Sequence, residues 1–363
     1  MKICSHNEWD NLKSVIIGNV FDETTPVVDF SYKVFFHDNI YGTKHESCSN
    51  YITKRHVIEH AQDIESLCNI LKSHNVTVYR PVKPKLIQKC STPNWKSSVH
   101  SALNVRDMCM IVGDTVIETP PTCRWRYFEN DYIKHILHAG FLSGARWIQA
   151  PKPLLLDKSF DLDHFKNSPA MNDGYLSTER SALDMGHEIM FDAANCVRLG
   201  RDIIINTSNK NQLLGAKWLQ DILGTDYNIH NVNITDSHID SSFLPLKPGV
   251  ALVMREDIPD SLPDMFNNWD LIYIPMRYRD QEEYVKQGIK LASPRIELNV
   301  LSISPRTIIC HDQYQDILNE KLNKHNIEAI GSPMRHCELF SGAHHCVSVD
   351  LHREGRLESY FET

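Results

Sequence analysis

The stretch Arg106-Asp107-Met108-Cys109-Met110-Ile111-Val112-Gly113-Asp114-Thr115-Val116-Ile117-Glu118 reads as two short strands, 106–112 and 115–118, folded back on each other about Gly113-Asp114. A two-residue connection rich in glycine and aspartate is a strong hairpin signal. A helical pattern follows over 128–142, then a strand over 146–150 that Pro151 ends. The local unit is therefore strand–strand–helix–strand.

The same order of elements recurs along the chain. Units start near residues 13, 104, 187, 241 and 296. The third has expected strands at 187–191 and 201–206. Its helix is capped by Ser208 or Asn209, carries Leu214, Trp218 and Ile222 at i, i+4 and i+8, and ends at Gly224; an extended run over 227–234 follows. The fourth pairs 241–246 with 250–254 and continues through a short helix near 263–268 to a strand at 271–275. The fifth pairs 296–303 with 307–310, then has a helix over 312–324 and a strand at 327–330. The first unit has a strand at 13–18, a helix over 50–73 and a strand at 76–79, so it is one strand short. The last strand, 344–352, supplies the missing piece. A repeat joined end to end in this way closes into a ring and removes open sheet edges. No linker divides the chain, so residues 1–363 are expected to form one domain. A polar stretch, 151–186, is a long loop of the kind that often carries function.

Composition narrows the function classes. The chain has 363 residues, 42% hydrophobic and 23% charged, with a formal net charge of -8. That balance suits a globular protein and disfavours nucleic acid as the main partner. No apolar run approaches the ~20 residues that span a bilayer. The first ten residues have no apolar core of a signal peptide, so a cytoplasmic setting is expected. Ten cysteines are scattered without a CxxC pair, which points to free thiols.

Three places could do chemistry. Asp192, in Phe191-Asp192-Ala193-Ala194-Asn195, stands at a strand end before small residues, as either a turn-forming cap or a site carboxylate. In Asp236-Ser237-His238-Ile239-Asp240, an extended backbone would aim His238 and Asp240 the same way and Ile239 inward. Cys346 follows the small-residue turn Ser341-Gly342-Ala343 and the pair His344-His345, at the mouth of a strand in which Cys346, Ser348 and Asp350 alternate with Val347, Val349 and Leu351. Such a thiol is a packed small hydrophobe, a metal ligand or a nucleophile. His336-Cys337 and His344-His345-Cys346 offer metal donors, but neither compact structural-zinc pairs nor an HExxH motif is present. Taken together, carboxylate, imidazole and thiol are the parts of a nucleophilic cysteine site with no metal and no cofactor.

At these positions the sequence resembles the amidinotransferases. Residues 191–202 resemble their FDAA(D/N)xxRxGRD segment, His238-Ile239-Asp240-Ser241-Ser242-Phe243 their HID(A/S)(T/S)F segment, and His345-Cys346 with Asp350 and Gly355 their terminal HCxxxDxxRxG segment. Val105-Arg106-Asp107, Glu118-Thr119-Pro120 and the run 147–152 also match. The resemblance implies a five-bladed, pseudo-symmetric α/β propeller of the pentein kind built from ββαβ units, in agreement with the repeat count. It implies an enzyme that moves the amidino group of L-arginine to an amine and releases ornithine. Cys346 would be the nucleophile, His238 the general acid/base and Asp192 its partner. Asp107 and Asp240 would hold the guanidinium, with Arg255 and Ser293 as further substrate contacts. The implied partners are small molecules, arginine and a primary amine such as glycine, lysine or an inosamine phosphate, and the implied assembly is a homodimer. A cationic substrate and a nearby imidazolium would lower the thiol pKa. The departures Asn195 and Ala343-His344 bear on the acceptor and tilt the expectation from a glycine enzyme toward specialised biosynthesis. The alternatives on the same residues are a guanidine hydrolase such as an arginine deiminase, a non-catalytic arginine-binding protein and a metal-dependent hydrolase.

Overall fold

In a computed structural model of the chain, five three-stranded sheets among the described residues each combine an antiparallel pair with a parallel third strand. The structure describes residues 1–21, 29–35, 52–83, 89–99, 101–167, 171, 181–275 and 298–361. The first blade joins the two ends of the chain. β17 (Ser348–Glu354) runs antiparallel to β1 (Asn11–Ile17), which pairs in parallel with β2 (Thr77–Tyr79) after the helix α2 (Lys54–Ser73). The second holds β5 (Cys109–Val112), β6 (Thr115–Glu118), α3 (Lys134–Leu142) and β7 (Arg146–Gln149). The third holds β8 (Cys196–Leu199), β9 (Asp202–Asn206), α4 (Lys210–Leu223) and β10 (Asn228–Val232). The fourth holds β11 (Phe243–Lys247), β12 (Val250–Val253) and β13 (Asp270–Tyr273). The fifth holds β14 (Leu301–Ser304), β15 (Thr307–His311), α5 (Gln315–Leu322) and β16 (Glu328–Ser332). Outside the blades lie α1 (Phe30–Phe35), the hairpin β3 (Lys89–Ser91) with β4 (Lys96–Ser98), and α6 (Cys337–Phe340). Central strands β9 and β12 are buried at every position, which is why they read as unbroken apolar runs with little alternation. Gly113 turns the β5–β6 hairpin with φ +58°, a conformation that costs a side-chain-bearing residue energy.

Several boundaries differ from the sequence expectation. Residues 187–191 form no strand. Glu188 instead accepts hydrogen bonds from the Leu154 and Leu155 N–H groups at 2.7 and 3.2 Å, and the first strand of that blade is β8. α2 begins at Lys54 because the Thr53 hydroxyl accepts from the His56 N–H while the His56 ring accepts from the Thr53 N–H. Residues 129–132 form a separate 3₁₀ turn before α3, and the expected short helix near 263–268 is the 3₁₀ turn Asp264–Phe266. On α4 the face that packs is Gly215, Ala216 and Leu219, whereas Leu214 is 38% exposed. A side chain at position 215 would collide with the Phe191 ring, which fixes the helix against the blade.

The described part of the 151–186 loop is anchored. Arg124 Nε and Nη2 donate to the Leu155 carbonyl at 3.0 and 2.7 Å, and Phe160 and Phe165 pack with Phe30, Trp95 and Met190. No helix among the described residues is long and apolar enough to cross a membrane.

At the hub of the ring, apolar packing gives way to ions. Arg198 Nε and Nη2 donate to the two oxygens of Glu8 at 2.7 and 2.8 Å, and Nη2 also reaches Asp350 at 2.7 Å. Arg353 and Arg106 pair with Asp350 at 2.8 and 2.9 Å. All five side chains are buried. The hub ties the first three blades together through β17, β8 and the turn before β5. Much of the charge in the RxGRD and DxxRxG segments is thus architectural. Replacing Arg198 by methionine is expected to destabilise the protein by about 3–5 kcal/mol, because Glu8 and Asp350 stay buried with less compensation. Chemical denaturation of the variant against wild type measures this directly.

Candidate active site

The candidate residues arrive on the segments just before the first strands of the blades. Asp107 closes the 3₁₀ turn Val105–Asp107 before β5, so the expected strand start at 106 is a turn. Asp192 precedes the 3₁₀ turn Ala193–Asn195 that leads into β8. His238 precedes the turn Ile239–Ser241, which carries Asp240 into β11. His238 and Asp240 reach the site through this tight turn, not through an extended alternation, although Ile239 does pack into the core as expected. Cys346 lies in the turn before β17. Asn299 occupies the corresponding place in the fifth blade, two residues before β14. The pseudo-symmetry of the ring thus gathers one polar segment from each blade.

The imidazole of His238 sits between two acids. Its Nε2 is 2.9 Å from Asp192 Oδ2, and its Nδ1 is 3.6 Å from Asp107 Oδ1. The Thr122 hydroxyl donates to the other Asp192 oxygen at 2.9 Å. Burial disfavours the charged imidazole, but Asp107, the Asp192 hydrogen bond and Asp240 outweigh it and raise His238 to about 9. Asp107 also pairs with Arg126, whose guanidinium is held in turn by Glu129 and by the Asn104 carbonyl. Burial raises the Asp107 pKa despite Arg126 and His238.

Asp240 and Cys346 form the other half. Asp240 Oδ2 accepts from His345 Nδ1 at 2.8 Å and from Asn299 Nδ2 at 3.4 Å, and lies 3.6 Å from the Cys346 sulfur. Burial penalises the Asp240 charge, yet the hydrogen bond and charge of His345 hold its pKa below the usual value. Cys346 is buried, and burial followed by the charges of Asp240 and Asp107 pushes its thiol well above the usual range. This corrects the expectation of a thiol already lowered by a neighbouring imidazolium. The Cys346 turn is tightly fixed: the Arg106 N–H donates to the Cys346 carbonyl at 3.1 Å, and Asn104 Nδ2 donates to the Phe340 and Ser341 carbonyls. Gly342 is required for close approach, since a Cβ there would stand 2.5 Å from Asn104 Oδ1 and 2.7 Å from the Cys346 Cβ.

Arg255 lies apart from this cluster. It is partly exposed, donating to Asp257 at 2.8 Å and to the Ile234 carbonyl at 3.2 Å, at the base of the loop that carries His238. Ser293 lies outside the described residues. Asn195 has a local role: its Oδ1 accepts from the Asp192 N–H at 3.1 Å and its Nδ2 donates to the Ser237 carbonyl at 3.4 Å. An amide can both accept and donate here, so this departure serves to join the Asp192 and His238 turns. Sequence reading missed Asn299, Arg126, Thr122 and the role of His345. Asn299 gave no signal, because the expected strand 296–303 covered it; only in the structure, where β14 starts at Leu301, does it stand two residues before a first strand, as Asp107 and Cys346 do.

No family model matches the chain. It is 31% identical over 362 residues to inosamine-phosphate amidinotransferase 1 of Streptomyces glaucescens, covering 98% of each. It is 30% identical to the mitochondrial glycine amidinotransferase of Gallus gallus, covering 99% of this chain and 85% of the relative. The chain belongs to the amidinotransferase family. The amidinotransferases are transferases, and another member, the L-arginine:L-lysine amidinotransferase of Pseudomonas savastanoi pv. phaseolicola, is 30% identical with 99% and 96% covered. Among solved structures, the inosamine-phosphate amidinotransferase of Streptomyces griseus superposes with a TM-score of 0.81 at 29% identity, covering 99% of both chains. A dimethylarginine dimethylaminohydrolase of Pseudomonas aeruginosa, at 13% identity, a TM-score of 0.55 and coverage of 93% and 99%, shares the fold alone. The five-bladed α/β propeller of the pentein kind, implied by the resemblance and consistent with the repeats, is thus the fold of this chain.

Proposed function

We propose that this amidinotransferase takes the amidino group of L-arginine onto Cys346, releases ornithine, and passes the group to a primary amine. The observation that carries this reading is a pair of buried carboxylate oxygens. Asp107 Oδ1 and Asp240 Oδ1 accept no hydrogen bond among the described residues. Buried acceptors of that kind are costly, and a planar guanidinium cation, with N–H groups on its edges, would satisfy both. Asp240 also lies beside the Cys346 sulfur, so a cation held there places its central carbon within reach of the thiol.

The same charges explain the order of events. In the free protein burial, and then the two carboxylates, hold the thiol protonated. The arginine cation neutralises them on binding, and the thiol then releases its proton to solvent, since His238 already carries one; the thiolate regains a proton when the product leaves. Thiolate attack on the central carbon gives a tetrahedral adduct. His238, protonated at neutral pH, gives its Nδ1 proton to the departing ornithine amine while Nε2 stays on Asp192, leaving the amidino group on sulfur. The neutral imidazole next takes a proton from the acceptor amine, which attacks the same carbon and expels the Cys346 thiolate. Asp192 orients the ring throughout, and Arg255 is the proposed contact for the arginine carboxylate, with Ser293 as a further substrate contact.

The acceptor is a primary amine. The relatives' names span inosamine phosphate, glycine and lysine. The local role of Asn195 removes it as an argument about the acceptor, and Ala343-His344 remain the departures that favour a biosynthetic amine. Incubation of the full chain with arginine and each of these amines, read by mass spectrometry, tests the proposal. Ornithine and a guanidinylated acceptor are expected. Citrulline in their place would reassign the site to hydrolysis, and no ornithine with any acceptor, together with unchanged mass at Cys346, would overturn the reading.

A further inference from the structure

Asn299 sits between buried Leu298 and Val300, and its own side chain is 3% exposed. Its two ends do different things. Oδ1 accepts the backbone N–H groups of Ala343, His345 and Cys346 at 3.2, 3.0 and 3.1 Å. Nδ2 donates to the Cys346 sulfur at 3.0 Å and to Asp240 Oδ2 at 3.4 Å.

We infer that Asn299 is a catalytic residue, whose Nδ2–H stabilises the Cys346 thiolate while its Oδ1 fixes the turn that carries the sulfur. The inference rests on the reading of Cys346 as nucleophile. A thiolate formed near Asp240 and Asp107 needs a neutral donor that adds no competing cation to the guanidinium site. A carboxamide meets that need, since hydrogen bonds aimed at an anion are stronger than those to a neutral group. The backbone of Ala343 also acts in favour of the thiolate, and its N–H is held by Asn299 Oδ1. The donor matters in both halves of the reaction. It steadies sulfur as nucleophile in the first and as leaving group in the second. By engaging Asp240 Oδ2 it also leaves Oδ1 for the substrate. An aspartate at 299 would keep the acceptor for the turn but place a further acid against the sulfur.

Alkylation of Cys346 by iodoacetamide as a function of pH, followed by peptide mass spectrometry, reads the thiol without requiring turnover. The full chain, Asn299→Ala and Asn299→Asp are compared, with thermal melts as the folding check. The alkylation midpoint is expected to rise by about 1 pH unit in Asn299→Ala and further in Asn299→Asp. The rate of the ornithine burst should fall about 10²-fold or more. Melts lowered with an unmoved midpoint would reduce Asn299 to a structural anchor and overturn the inference. If Asn299→Ala does not fold, an unmoved midpoint in Asn299→Asp overturns it equally. A wild-type chain that forms no adduct with arginine refutes the functional reading instead, and the alkylation profiles separate the two failures.

Discussion

Cys346→Ser is expected to lower ornithine release by about 10⁴-fold or more, because it removes the atom that, in the proposed mechanism, carries the amidino group between the two half-reactions. The wild-type chain, given arginine and no acceptor, should release a burst of ornithine equal to the number of sites and gain the mass of one amidino group on the peptide bearing Cys346. The serine variant should show neither. A hydroxyl is far harder to ionise than a thiol, and this site already resists ionisation through burial and through Asp240 and Asp107. The fold should survive, since the turn is held by backbone bonds to Asn299 and Arg106 that do not involve the sulfur. A serine variant that melts like wild type and still releases ornithine at a comparable rate would sink the assignment of the nucleophile.

His238→Gln is expected to lower both half-reactions by about 10²–10⁴-fold, the usual worth of a positioned proton donor and acceptor. It also carries a pH signature. The imidazole is raised from its ordinary 6.5 to about 9 in the folded protein. A raised value means the folded state binds the proton more tightly than the unfolded chain. The resulting stabilisation is full below about 6.5 and disappears as pH rises through about 9. Wild type should therefore lose stability across that window, by on the order of 2–3 kcal/mol, relative to His238→Gln. Denaturant titrations of both proteins at pH 6, 7.5 and 9 measure the difference. Parallel stability curves would show that Asp192 and Asp107 do not hold His238 in its charged form.

The fold was legible because its signals are local and repeated. Apolar runs at β6, β9 and β12 and the helical spacing before β7 announce themselves within a few residues. Where local pattern misled, a distant contact was responsible. Residues 187–191 read like a short strand ending in an apolar run, yet Glu188 is spent on the Leu154 and Leu155 amides, and Met190 and Phe191 pack into different clusters. Leu214 keeps perfect helical phase but loses its place because Gly215 brings α4 against Phe191. At the site, Asp107, Asp192, His238, Asp240 and Cys346 stand in recognisable segments. Asn299 does not, since an asparagine between two apolar residues looks like a polar interruption until the Cys346 turn folds onto it. Thr122 and Arg126 are hidden for the same reason: each is defined by what it touches across the ring.

The closure of the first blade by β17 has a consequence for how the protein comes into being. Cys346 lies two residues before β17, the strand that pairs with β1, so during synthesis the ribosome delivers the proposed nucleophile and the closing strand together. A nascent chain that ends before residue 346 has no thiol at the site and leaves β1 without its antiparallel neighbour. Premature termination products should therefore be inert toward arginine and also poorly folded, open to proteolysis before they can bind and sequester it.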